Sequence, residues 1–344
     1  MGQTGRHNMT YDVITIGDAM RDIFIFPDVE EMEKPASGQK IKSDENFEKF
    51  LVFGLGDKVT ITDVEFSIGG TAANVAAALA KLGKKTAIIS AVGSDNAGTE
   101  IKSKLSSRNI STNLIKTYQN KKSSFSVIVS YKGERTIFVY HAYLPENFRL
   151  PEKLNTDWLY LGPMARGFEH LYNKIVAEVV KNDLKVAVNP GSVQIDAGLH
   201  SFGGLLKLIS VIFLNRQEAQ KLSGLPGVPN IKDIAKVIQF QGPKIVCITD
   251  GKEGAYAYNG IDFYRVGSYP ACRVDATGAG DSFATAFLAG IMEGESLPTS
   301  LKWGVINSAS VIEKIGAQEG LLSKNIIKRR AKEYRWPAAT LRFS

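Results

Sequence analysis

Short apolar runs rich in β-branched residues recur along the chain at residues 13–16, 86–91, 158–161, 185–189, 211–214 and 244–249. Between most of them the apolar positions take helical spacing, at 71–82, 97–107, 169–181, 217–223 and 231–239. A continuously apolar strand needs cover on both faces, and helices alternating with strands supply it. The pattern predicts an α/β fold with a central, mostly parallel sheet flanked by helices. Two longer helical segments follow at 279–292 and 299–314.

Two stretches break this alternation. Residues 23–68 hold a charged, Pro/Gly-punctuated segment at 27–45 and strand-like pieces at 49–53 and 64–68. Residues 112–140 hold strand-like pieces at 124–130 and 135–140, joined by Lys132-Gly133-Glu134, which is hairpin spacing. Together they predict a small sheet set apart from the main layer. An edge hairpin is the plainer alternative. No internal repeat or Ser/Gly linker divides the chain, so one catalytic domain is expected.

Composition narrows the classes. The 344 residues are 44% hydrophobic and 22% charged, as in a globular protein with a substantial core. Two cysteines, Cys247 and Cys272, exclude a disulfide scaffold and the usual Cys-based zinc modules. No apolar run reaches membrane-spanning length, and the polar start carries no signal-peptide core, so the expectation is a cytoplasmic protein without a membrane partner. The net charge of +7 invites a nucleic-acid reading. However, residues 321–344 hold seven basic side chains against Glu333 alone, which leaves the body nearly neutral. A solvated terminal helix over 324–335 is the commoner source of such a charge run.

The chemistry concentrates in two segments. Val274-Asp275-Ala276-Thr277-Gly278-Ala279-Gly280-Asp281 runs into the helix at 279–292. Small residues before a helix let N–H groups converge on an anion, and the helix dipole adds positive potential. An Asp at that point is either an N-cap or a general base beside the anion. Gly278-x-Gly280 is no dinucleotide fingerprint, since Phe283 fills the third position, and the chain has no G-x-x-x-x-G-K-[ST]. The second segment, Gly69-Gly70-Thr71-Ala72-Ala73-Asn74, enters an Ala-rich helix. A glycine turn before a closely packed helix accounts for most of it. It accounts less well for Asn74, which suits hydroxyl binding.

In order and context the two segments resemble the ribokinase-like (PfkB) carbohydrate kinase family, with its Gly-Gly-x-x-x-Asn and Asp-x-x-Gly-Ala-Gly-Asp elements. Val92 to Gly98, Asn215-Arg216-Gln217-Glu218 and Thr249-Asp250-Gly251-Lys252-Glu253-Gly254 resemble further family turns. The likeness spans residues 11–320 and leaves 321–344 as a basic tail. It implies a ribokinase-like fold whose small sheet, from parts of 23–68 and 112–140, is a lid.

The resemblance implies transfer of the ATP γ-phosphoryl group to a hydroxyl, with Asp281 as base and Gly278, Ala279 and Gly280 forming the anion hole. Asp22, Gly69, Gly70 and Asn74 would grip the acceptor, with Asp18 as the alternative to Asp22. Thr249, Gly251, Gly254 and Asn307 would line the ATP site, Asn307 facing the adenine. Asn215 and Glu218 would organise Mg2+ through water, or form a capping box, or both. Asp275 matches a ligand of the monovalent cation, K+, that family members often bind. The acceptor is a small-molecule sugar, or a nucleoside in the alternative reading. Thr71 stands where ribokinase-type members carry Lys, which weakens ribose itself. Phe24, Phe26, Phe47, Phe50, Phe53 and Phe66 would build the lid core or stack on a base. Arg135 and Arg166 are the arginines to test for a second anion site. A homodimer through the lid is also in keeping with the family.

Overall fold

The computed structural model describes residues 10–28, 56, 58–131, 134–227 and 230–335. The strand-like piece at 49–53, with Phe47, Phe50 and Phe53, lies outside them. In chain order the elements begin with β1 (Tyr11–Ile16), β2 (Met20–Pro27), β3 (Ile61–Gly69), α1 (Thr71–Lys81), β4 (Thr86–Gly93) and α2 (Asn96–Ser107). Then come β5 (Ile110–Ser111), β6 (Ile115–Tyr118), β7 (Phe125–Tyr131), β8 (Glu134–Tyr140), β9 (Thr156–Leu161), α3 (Phe168–Asn182), β10 (Lys185–Val188) and α4 (Ser192–Ala197). The chain continues through β11 (Ile209–Asn215), α5 (Arg216–Ser223), α6 (Ile231–Phe240), β12 (Ile245–Thr249), β13 (Ala255–Tyr258) and β14 (Phe263–Val266). It closes with α7 (Ala279–Met292), α8 (Leu297–Val311) and α9 (Lys324–Glu333).

The main sheet has the order β14-β13-β12-β11-β10-β9-β1-β4-β5, with β6 also paired to β4. It is parallel from β12 through to β4, as the apolar runs require. Alternate strand residues feed two cores. Val13, Tyr160 and Phe213 meet Phe283, Phe287 and Trp303 on one face. Ile14, Leu161 and Ile212 meet Phe168, Tyr172 and Ile234 on the other. The antiparallel edge pair β13–β14 was not among the expected strands. Its signal was present, because Asn259-Gly260 sits between two alternating runs.

The second sheet is separate and has four strands in the order β3-β2-β7-β8. Its hairpin β7–β8 is the one expected from 124–140. Asp22, Phe24, Ser126 and Ile128 are buried on its inner face, while Val64, Phe66, Phe125, Phe138 and Tyr140 are exposed. Phe66 lies under the Arg21 guanidinium at 4.4 Å, so Phe24 and Phe66 have opposite fates.

The basic C-terminal segment is not the solvated helix expected for 324–335. Ile327 of α9 is fully buried against the body. Lys324 and Lys328 converge with Lys84 on Glu293, at 3.0, 3.1 and 3.3 Å. The Tyr334 hydroxyl donates to the Ser268 carbonyl at 2.9 Å. Part of the basic charge is thus spent on docking the helix. Three ammonium partners hold the Glu293 carboxyl at about 2, against burial that alone would raise it. A depressed carboxyl stabilises the fold above its ordinary value of 4.5 and loses that effect as pH falls toward 2. Glu293→Gln is expected to lower Tm by roughly 2–4 °C at neutral pH. Thermal unfolding followed across pH should show the gap to the unmutated protein closing below pH 4.5.

Candidate active site

The parallel strands end in a crevice, the position where open α/β sheets bind ligands. Asp18 follows β1, Pro163 follows β9, Asn189 follows β10, and Asn215 and Thr249 end β11 and β12. The small sheet covers the part next to β1. Two cavities share Thr71, Arg135, Pro163, Gly278 and Asp281. A third meets the one that reaches Asn215 and Glu218, at Thr249, Ala279, Gly280 and Phe283. The result is one continuous cleft with Asp281 near its middle.

The first compartment, about 320 Å³, lies under the small sheet. Asp22, 6% exposed, accepts a hydrogen bond from the Ser126 hydroxyl at 2.6 Å. Burial raises its pKa to about 6; the Ser126 hydroxyl opposes this and the Asp281 charge adds to it. A Cβ on Gly69 would fall 1.8 Å from Asp22 Oδ2, so the glycine makes room for the carboxylate. Asp18, the alternative to Asp22, lines the same space but pairs with His141 Nδ1 at 2.8 Å. That contact raises the His141 pKa. Met20, Ile128, Ile137 and Val139 form an apolar wall.

The middle compartment holds the glycine turn. Gly278 is the residue before α7, at φ +74°, and a Cβ there would meet Ala317 at 2.3 Å. Asp281 is therefore not the N-cap; it sits in the first turn of α7. The Ala279 N–H bends back to the Ala276 carbonyl at 3.3 Å, so one of the three expected anion donors is partly engaged. The helix start leaves first-turn N–H groups without intrahelical acceptors, and Gly280 lies open to the cleft. Asp275 braces this turn. Its oxygens accept from the Thr277 N–H, the Thr277 hydroxyl and the Gly316 N–H at 3.0, 2.8 and 3.0 Å.

Asn215 and Glu218 form the capping box, each side chain accepting from the other's N–H, at 2.9 and 2.8 Å. Both also line the middle compartment. Burial raises the Glu218 pKa, with the Asn215 N–H opposing. Thr249, Gly251 and Gly254 line the third compartment with Ser268, Tyr269 and Ser308. Asn307 does not join them. It is buried within the protein, donating to the Ser282 carbonyl at 2.9 Å and accepting from the Leu322 N–H at 3.1 Å. Both ends of its amide are used, so the expectation that it faces an adenine is corrected.

Asn74 lines the first compartment and has a second set of contacts. It is 7% exposed, and its Nδ2 donates to Asp281 Oδ2 at 2.8 Å while its Oδ1 accepts from Gln318 Nε2 at 2.8 Å. It lines the compartment where an acceptor is expected and also holds the candidate base. Burial raises the Asp281 pKa; hydrogen bonds from Asn74 and Thr71 oppose it. Sequence reasoning missed Ser126, His141 and Gln318. Only Gln318 left a trace, in the Gly316-Ala317-Gln318 turn that follows α8. Of the two arginines, Arg135 lines the cleft, whereas Arg166 is exposed on a loop outside it. Among the described residues, no group of three His, Cys, Asp or Glu side chains forms a metal cluster. No described helix is long and apolar enough to cross a membrane.

Gly69→Ala is expected to displace Asp22 while leaving the third compartment intact. Steady-state kinetics should show kcat/KM for the acceptor falling about 10²-fold, with KM for ATP unchanged.

The sequence profile of the pfkB family carbohydrate kinases matches residues 39–324. The chain is 27% identical over 284 residues to a ribokinase from Lactococcus lactis, covering 81% of this chain and 90% of that protein. It is 32% identical over 114 residues to a cytidine kinase from Thermococcus kodakarensis, covering 33% of this chain and 40% of that protein. The structure of Arabidopsis thaliana ribokinase complexed with ribose and ATP superposes with a TM-score of 0.74 at 20% identity. That superposition covers 94% of this chain and 99% of the other, and shows the shared fold. The separate small sheet and the mostly parallel main sheet are thus those of a ribokinase-like kinase. The chain belongs to the pfkB family of carbohydrate kinases.

Proposed function

We propose that this kinase transfers the γ-phosphoryl group of ATP to a hydroxyl of a sugar or nucleoside, with Asp281 as general base. The observation that carries the reading is the position of Asp281, where the compartment under the small sheet meets the glycine turn of α7. An acceptor held by Asp22 in the first compartment would present its hydroxyl there. The triphosphate would lie along the other two, its terminal group at the start of α7.

The acceptor O–H transfers its proton to Asp281 as the oxygen attacks the γ-phosphorus. The new O–P bond forms while the bond to the β,γ-bridging oxygen breaks, and ADP leaves. Orphan N–H groups of the first turn of α7 stabilise charge on the phosphoryl oxygens, and the helix dipole adds to them. Arg135, on the small sheet, brings a cation to the same junction. Positioning and electrostatics carry most of such a reaction.

Glu218 and Asn215 suit a Mg2+ held through water, because a desolvated carboxylate beside an amide oxygen lines the phosphate compartment. When bound, the ion would screen phosphate charge. K+ at Asp275 lacks this support, since the hydrogen bonds of that carboxylate all go to its own loop and the neighbouring Gly316.

The apolar wall of Met20, Ile128, Ile137 and Val139 favours the second reading, a nucleoside whose base packs against it while Asp22 binds the ribose hydroxyls. A panel of ribose, other monosaccharides and nucleosides with Mg·ATP, followed by ADP release, separates the two. Asp281→Asn is expected to lower kcat by at least about 10²-fold while ATP still binds. Unchanged turnover would overturn the base assignment. If binding needs the Asp22 carboxylate, acceptor kcat/KM should fall as pH drops through about 6. Asp22→Asn should remove that limb of the profile.

A further inference from the structure

Gln318 lies on the path to the base. It is 9% exposed, and its Nε2 reaches both the Ile68 carbonyl and Asn74 Oδ1 at 2.8 Å. A main-chain carbonyl only accepts, so the nitrogen of Gln318 must be the atom that faces it. The same nitrogen donates to Asn74, which turns the Asn74 oxygen toward Gln318 and its NH2 group toward Asp281. The donor direction along the chain is therefore set by one carbonyl in β3. Reversing it would oppose two carbonyl oxygens at Ile68 and press the Asn74 oxygen against the Asp281 carboxylate. The arrangement leaves Gln318 Oε1 buried without a partner among the described residues, a burden that an amide free to choose its orientation would avoid.

We infer that Gln318 is a positioning residue that sets the polarity of the chain Ile68–Gln318–Asn74–Asp281, so that Asp281 meets the acceptor as an oriented carboxylate while β3 is seated. The inference rests on the proposed role of Asp281 as base. It also gives the small sheet a direct line to the reaction centre, because Ile68 lies near the end of β3, immediately before the Gly69-Gly70 turn. Other groups act on Asp281 as well. Asp22, Asp18 and His141 line the acceptor compartment with it, Arg135 comes from β8, Thr71 bonds to it, and Tyr160 of β9 senses its charge.

The test needs no acceptor. In full-length protein carrying 13Cγ-labelled aspartate, the Asp281 signal is identified by its loss in Asp281→Asn. Its titration is then followed in unmutated protein, Gln318→Leu, Asn74→Ala and the double variant. Gln318→Leu is expected to raise the midpoint by roughly half to one unit and to add nothing once Asn74 is Ala. Gln318→Met serves the same purpose should the leucine variant fail to fold. With whichever of ribose or cytidine turns over, kcat should fall about tenfold with KM for Mg·ATP unchanged. An unmoved midpoint, or an equal shift in both backgrounds, would overturn the relay. Full turnover by Asp281→Asn would overturn the base reading instead, and the titration would still decide whether the relay exists.

Discussion

The hydrogen bond from Asn74 to Asp281 joins the two helix starts on which the cleft is built. One begins at Thr71 after Gly69-Gly70, the other at Ala279 after Gly278. Each glycine turn is there because something presses close. Asp22 fills the space beside Gly69, and Ala317 fills the space beside Gly278. Alanines along α1 and α7 bring the helices near enough for a short amide and a short carboxylate to meet. The proposed acceptor grip, the proposed base and the glycine turn at the start of α7 therefore share one set of packing constraints.

The electrostatics follow from that closeness. Asp22, Asp281 and Glu218 are all pushed upward, in each case chiefly by burial. The fold holds these carboxyl groups in poor solvent because protein donors partly replace water: Ser126 for Asp22, Asn74 and Thr71 for Asp281, and the Asn215 N–H for Glu218. Each acid keeps a distinct donor set, and this lets neighbouring carboxyls serve different ends in one cleft. At the far end α9 contributes indirectly. Tyr334 bonds to Ser268 and stacks edge-on against Tyr269, and both Ser268 and Tyr269 line the third compartment.

Much of this was legible in the chain. The parallel strands and their helices were visible because strands buried on both faces leave unbroken apolar runs, and the start of α7 was marked by its glycines. The edge hairpin β13–β14 was missed although Asn259-Gly260 marked its turn. The roles of individual polar side chains were less legible. Asn74 and Asn307 sit in helices at spacings that admit a ligand, yet Asn307 is spent on contacts within the fold, and Asn74, which lines the first compartment, also bonds to residues 207 and 244 positions away. Ser126 meets Asp22 across 104 residues for the same reason. Such partners are set by tertiary packing, and no local pattern encodes them. The basic C-terminus shows the converse. Its charge run looks solvent-facing, and only the fold shows Glu293 gathering three of the chain's lysines.

In the proposed reaction the acceptor hydroxyl and the terminal phosphate meet at Asp281. A crystal structure with a non-hydrolysable ATP analogue and the acceptor identified by the substrate panel tests it most directly. The reacting hydroxyl is expected within about 3.2 Å of an Asp281 oxygen and the terminal phosphate at the Gly278–Gly280 turn. A hydroxyl bound to another base, or a phosphate held away from that turn, would contradict it.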